Sequence, residues 1–387
     1  MGNFDDLSMA VASFGGNNKV IFDDLEKPSI MVGIPKMKYS DLITGGTQDV
    51  LDVFKVDGVE REMLYISKYI NVVVNDRAYS LPMKDPKAYI DFDTSLAACR
   101  RKGAGWGLTP NGLWGAIMLW CNRNNFLPRG NTNWDRSYEK SYEKGVNTYI
   151  DGSHGGGRTA TGSGPVTWYH DGSPAGIADL CGNMWEWVAG LRIVGGEIQI
   201  IPYGNCMRAD CDMSADSTEW KAIKPDGSFV NPGTAGTLHY DLVSGKIVIG
   251  TSTNSTFANN IPLSGLAAAS GVNIPQIIKA LGMMKDSADI YPASGHQLYV
   301  NTDGERLPFR GSSFNNTSNG GVGALNLNNA RSNVNNNVGF RSASPHFASS
   351  HKHKCLRPVR LGLRGLFPFR GDRQGPAGKR LNCRENC

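Results

Sequence analysis

"LPFRGSSFNNTSNGGVGALNLNNARSNVNNNVGFRSA" occupies residues 307 to 343, and one residue type dominates it. From Gly311 to Asn337 there are 27 residues, of which ten are asparagine. Asparagine disfavours helix and strand interiors because its short amide competes for nearby backbone groups, so the run predicts turns and exposed loops. A disordered polar linker would share that composition. It would not need Leu325, Leu327, Ala330, Val334, Val338 and Phe340, spaced through the polar residues as anchors would be. The segment therefore reads as ordered chain pinned to a core, with its amides left over for the surface.

Working outward, residues 1 to 27 read as a short arm with little core. Strand-like segments follow at 29 to 34, 62 to 70 and 71 to 81, where Val, Ile and Tyr recur near turn residues. "TSLAACRRKG" (94 to 103) predicts a short helix capped by Thr94. "LTPNGLWGAIMLWCNRNNF" (108 to 126) predicts the best helix, with Thr109 as N-cap, Pro110 in the first helical position and Leu113, Ile117 and Trp120 on one face. Gly, Asn and Ser dominate from about 122 to 180, so regular structure should be sparse there. Residues 190 to 305 carry hairpin-like pieces and one further helix, 273 to 283. Two short helices in a mostly β, loop-heavy chain indicate an α+β domain.

Composition bounds the rest. The chain has 387 residues, 40% apolar, 9% aromatic and 19% charged, with 47 glycines and 19 prolines, which suits a loop-rich globular protein. No stretch reaches the roughly 20 apolar residues that span a bilayer. The opening "MGNFDDLSMAVASF" lacks the basic start and apolar core of a signal peptide. The expected location is the cytoplasm, unless the protein leaves inside a larger particle. The net charge of +5 is unevenly spread, because residues 345 to 387 hold ten Lys/Arg against two Asp/Glu, while residues 1 to 344 hold 30 against 33. That basic Gly/Pro/Arg-rich tail is a candidate contact for nucleic acid or another polyanion, although such tails are commonly only solvated.

Cys99, Cys121 and Cys181 sit in apolar patterns and read as buried thiols, whereas Cys206 and Cys211 could close a small loop or form half a metal site. In the tail, His351, His353, Cys355, Cys383 and Cys387 supply candidate zinc ligands, at a spacing unlike a standard finger. His170 beside Asp171 has no nucleophile near it and reads as a turn, and "GGGR" (155 to 158) lacks the flanks of a phosphate loop.

Three blocks, "GAGWGLTPNGLWGAIMLW", "GIADLCGNMWEWVAGL" and the asparagine-rich segment between "LPFRGSSFNN" and "GFRSA", occur in that order. Together they resemble the formylglycine-generating-enzyme (sulfatase-modifying factor) branch of the C-type lectin fold, and within it the variable proteins of diversity-generating retroelements. The resemblance covers about residues 28 to 344, with 190 to 305 as a mainly β insert and a variable region at about 308 to 344. It implies a binding protein in which adenine mutagenesis of asparagine codons diversifies a surface, and a variant-specific protein or glycan ligand on another cell or particle.

By the same resemblance Arg310, Gly311, Leu325, Leu327, Ala330, Arg331, Gly339, Phe340 and Arg341 are scaffold. The candidate ligand surface is Ser313, Phe314, Asn315, Asn316, Thr317, Ser318, Asn319, Gly323, Asn326, Asn328, Asn329, Asn333, Asn335, Asn336 and Asn337, with Asn326 and Asn329 expected to turn inward. Related enzymes bind calcium near this tryptophan motif, which makes Asn183 and Glu186 candidate oxygen ligands; no cofactor is required by the binding reading. The alternative is a divergent oxidoreductase of the formylglycine-generating type. Those enzymes need paired cysteines in the segment that runs here from Arg310 to Arg341, which has none, so catalysis is not expected.

Overall fold

The computed structural model describes residues 3–345; the basic tail with its candidate zinc ligands, His351, His353, Cys355, Cys383 and Cys387, lies outside the described residues. Helices pack against a curled mixed sheet in a loop-rich α+β fold. A smaller sheet has the order Asn18–Phe22, Pro28–Pro35, Met63–Ser67, Ser342–Ser344, Gly107–Leu108, all antiparallel. The last strand before the tail therefore closes against the first third of the chain.

The larger sheet runs Ala258–Pro262, Gln297–Asn301, Leu325–Asn329, Glu305–Arg310, Leu191–Val194, Glu197–Ile200, His239–Val243, Lys246–Gly250, Ala267–Ala268. Trp185–Trp187 joins it by pairing with Glu305–Arg310 and, in parallel, with Val338–Phe340. The stretch from 190 to 305 is thus continuous in one sheet with the asparagine-rich strand Leu325–Asn329.

The helix Asn111–Arg123 runs through the middle of the main core, burying Leu113, Trp114, Ile117, Met118 and Leu119, with Trp120 partly buried beside it. Gly115 lets the backbone of the short helix Gln276–Ala280 approach, since a Cβ there would sit 2.2 Å from the Ala280 carbonyl oxygen. A second core gathers Trp185, Trp187, Trp220, Phe309, Val338 and Phe340. No helix among the described residues is long and apolar enough to cross a membrane.

Several local expectations need correcting. The first 27 residues hold a helix, Asn3–Ala12, and an edge strand, Asn18–Phe22, and they bury Val11, Val20 and Ile21. Short apolar spacing hid this, because the segment covers an existing sheet edge and builds no core of its own. The early helix spans Phe92–Arg100 and is capped by the Asp91 carboxylate, which accepts from Thr94 N–H; a carboxylate at the N-terminus outcompetes the threonine. In the central helix Pro110 is the N-cap and Asn111 begins the helix, because Asn111 N–H is drawn to the Ala189 carbonyl. Residues 72 to 79 fold as a tight hairpin. Cys206 and Cys211 are both buried free thiols.

Candidate functional site

Two arginines fasten the ends of the asparagine-rich segment. Arg310 is fully buried; its Nε donates to Asn111 Oδ1 at 2.8 Å, and its Nη atoms donate to the carbonyls of Gly282 (3.0 Å) and Leu281 (2.6 Å). Burial pushes its guanidinium down to about 10, still charged at neutral pH. Arg341, also fully buried, donates from Nε to both Glu186 oxygens (3.0 and 2.8 Å) and from its Nη atoms to the carbonyls of Ser67, Lys68 and Ala178. Each arginine thus satisfies loop carbonyls from distant parts of the chain, and the segment between them starts and ends at fixed points.

Between these anchors, Leu325–Asn329 alternates as a strand should: Leu325 and Leu327 enter the main core, while Asn326 and Asn328 turn to the other face. Asn326 lies across from Tyr299 on one neighbouring strand and Phe309 on the other. Trp185 packs on both aromatic rings, with centroids 6.2 and 6.3 Å away. The amides of this strand therefore emerge at the border of an aromatic floor.

The side-chain amides knit into two groups. In the first, Asn337 Nδ2 donates to Ser313 Oγ (3.1 Å) and Asn315 Oδ1 (3.2 Å), and Asn316 Oδ1 accepts from Ser313 N–H at 2.9 Å. In the second, Asn326 Oδ1 accepts from Asn328 N–H (3.0 Å) and from Asn329 Nδ2 (3.1 Å), and Asn333 Nδ2 donates to Asn329 Oδ1 (2.9 Å). The Oδ1 of Asn328 is buried without a partner.

The candidate residues fall into three layers. Asn315, Ser318 and Asn335 are exposed, together with Ser332 and Val334. Asn316, Thr317, Asn319, Asn326, Asn328, Asn333, Asn336 and Asn337 are half-buried. Ser313, Phe314 and Gly323 are buried, which corrects their expected place on the ligand surface, and Asn329 is buried as its inward turn was expected to make it. Phe314 is held under the loop by its N–H to the Asn183 carbonyl and its own carbonyl to Trp134 N–H, while a Cβ on Gly323 would strike the His296 ring. Two expected anchors also fail: Ala330, which the resemblance placed in the scaffold, is exposed, and Val334 is 53% exposed. Both sit in a turn where the strand's period of two no longer applies.

Residues outside the segment hold it up, and sequence reasoning did not find them. Tyr89 N–H donates to the Asn335 carbonyl and Trp185 N–H to the Asn337 carbonyl. Arg158 donates to the Asn336 carbonyl at 2.8 Å, pairs with Asp85 and lies over the Tyr149 ring, whose hydroxyl accepts from Asn336 Nδ2. Inside the segment, Arg331, which the resemblance placed in the scaffold, pairs with Glu305 and Asp93. Tyr89 is 61% exposed beside these loops, as is Ile150 at 60%. No local motif marks such residues, since their partners lie far away in sequence.

Asn183 and Glu186 do not fit a hard cation. Both Glu186 oxygens take Arg341, and Asn183 Oδ1 accepts from Thr159 N–H (2.9 Å) and Asn131 Nδ2 (3.3 Å). Among the described residues no group of three or more His, Cys, Asp or Glu is placed to hold a metal. Desolvation raises the Glu186 carboxyl to about 7, and Arg341 opposes that rise.

No family model and no curated protein matches the chain. Among solved structures it is similar to PvdO from Pseudomonas aeruginosa, at 14% identity and a TM-score of 0.31, over 84% of this chain and 97% of that one. It is also similar to the U1 variant of Major Tropism Determinant, at 11% identity and a TM-score of 0.28, over 85% of this chain and 72% of that one. Likenesses this loose carry no argument about activity or ligand.

Proposed function

We propose that this chain is a binding protein whose segment from Ser313 to Asn337 presents a diversifiable surface, on a C-type lectin-like scaffold of the formylglycine-generating branch. The observation that supports it is the division within one segment: Arg310, Leu325, Leu327, Phe340 and Arg341 are buried and bonded, while Asn315, Ser318 and Asn335 project from loops whose carbonyls are held elsewhere. A surface whose backbone is fixed by other residues tolerates exchange of its side chains and loses little ordering entropy on binding. The aromatic rim, Tyr299, Tyr149 and Tyr89, with the buried Trp185 packed under Tyr299, would supply constant contact area under changing amides.

In this reading the partner is a protein or glycan on another cell or particle, set by the individual variant, and the chain has no catalytic role. Two experiments test it. Sequencing the gene's neighbourhood should find a near-copy of the 3′ end that differs at adenines, falling in the codons of the exposed and half-buried layers; mismatches spread over all bases would defeat it. The purified chain should not oxidise a cysteine peptide when supplied with copper; turnover would instead favour the oxidoreductase alternative.

A further inference from the structure

A cavity of about 350 Å³ opens beside the asparagine-rich surface, between residues 127–139, 292–296 and 317–321. It lies at the small end of the range for small-molecule sites. Its inner wall is polar and closely built. His296, 6% exposed, stands at φ +47 and accepts from Gly323 N–H at Nδ1 (3.0 Å). Gly321 covers one face of the ring, where a Cβ would come within 2.6 Å, and Tyr291 packs on it with centroids 4.8 Å apart. With Nδ1 accepting, the neutral ring carries its proton on Nε2, the polar edge left to the cavity. Burial supports the neutral form by lowering the ring to about 4.

The other wall groups add no free charge inside. Arg129 is matched by Glu143, and burial pushes the Cys181 thiol up to about 12, which keeps it protonated. Thr132, itself buried, and Ser318 add hydroxyls, Leu127, Pro128 and Pro292 form an apolar strip, and the exposed Tyr138 and Glu139 stand at the mouth. An anion would meet Glu139 and no unpaired cation, and a cation would meet the Nε2–H. What fits is a neutral molecule with several hydroxyls and one apolar face, able to accept from His296 and lie against Tyr138.

We infer that this cavity is a site for a neutral sugar ring, with His296 Nε2–H donating to a ring or hydroxyl oxygen and Tyr138 covering the apolar face. The inference goes beyond the variable-surface reading, sharing only Thr317 and Ser318 with it, and the site would persist across variants that keep these two small.

The test is saturation-transfer NMR with the full chain and the methyl glycosides of glucose, galactose, mannose and N-acetylglucosamine, each at about 10 mM, a level that detects Kd values in the millimolar range. At least one should bind. Ser318→Trp, at an exposed rim position, should fill the mouth and weaken binding at least tenfold with an unchanged circular dichroism spectrum. His296→Asn, a residue that tolerates positive φ, should do the same, because its shorter amide falls short of the place of Nε2. Replacing Asn315 and Asn335 by Ser, which tests the variable surface, should leave glycoside binding intact. The inference is overturned if no glycoside binds, if Ser318→Trp binds as the parent does, if acetate or phosphate binds more tightly, or if the Asn315 and Asn335 changes abolish glycoside binding.

Discussion

Leu327 and Asn335 lie eight residues apart in one segment and answer to different constraints. Leu327 is fully buried in a strand between two partners, so its shape is dictated by the core around it. Asn335 is exposed, and what the fold uses of it is its backbone: the carbonyl accepts from Tyr89 N–H while its own side chain bonds only the next residue's N–H. One position is held through its side chain and the other through its main chain. That difference lets a rigid loop carry replaceable side chains.

The comparison breaks most visibly at its anchors. Arg341→Met should cost about 3–5 kcal/mol in urea denaturation, because it leaves Glu186 buried without its partner. A cost under about 1 kcal/mol would mean the segment does not depend on that anchor. Leu327→Ala should follow at about 2–5 kcal/mol through the cavity it leaves, with the urea midpoint as readout. If Leu327→Ala proved as mild as a change at Asn335, the two positions would not differ in kind.

Acid should sharpen the buried side of the contrast. Burial lowers His170 and His296 to about 4 in the fold, against roughly 6.5 in the unfolded chain. For His170 the neighbouring Asp171 opposes the effect of burial. Folded values below unfolded ones mean the stabilisation is complete above pH 6.5 and is lost as pH falls toward 4. The slope should approach about 1.4 kcal/mol per pH unit for each ring. Glu186 at about 7 and Asp289 at about 6 take up protons in the fold over the same range and oppose this loss, so the check is a comparison: the melting temperature should fall less from pH 7 to 5 in His296→Asn than in the parent chain, and equal slopes would mean the ring is open to water. The smallest effect is expected at the tips. Replacing Asn315, Ser318, Ser332 and Asn335 together by Ala should shift stability by no more than about 1 kcal/mol while changing what the protein binds. A larger loss would place these side chains in the scaffold.

Much of this arrangement was legible in the segment itself. The spacing of Leu325 and Leu327 through the polar run marked them as anchors, and the family resemblance placed Arg310 and Arg341 in the scaffold. Asn326 and Asn329 do turn to local partners, which their short amides favour. Phe314, Ser313 and Gly323 were misplaced because composition cannot tell a loop's upper face from its lower one. The N-terminal helix was missed because its burial depends on a sheet edge supplied from elsewhere.

By itself the sequence determined the α+β class, the central helix and the alternation of anchors with amides, since propensity and periodicity act between near neighbours. Only the tertiary structure decided that Arg341 meets Glu186, that Arg158 and Tyr149 brace Asn336, and that His296, bonded to Gly323 N–H, lines a cavity. Those pairs join residues from 27 to 187 positions apart. Which distant residues become neighbours is fixed by how the sheets close, and no local window of the chain carries that information.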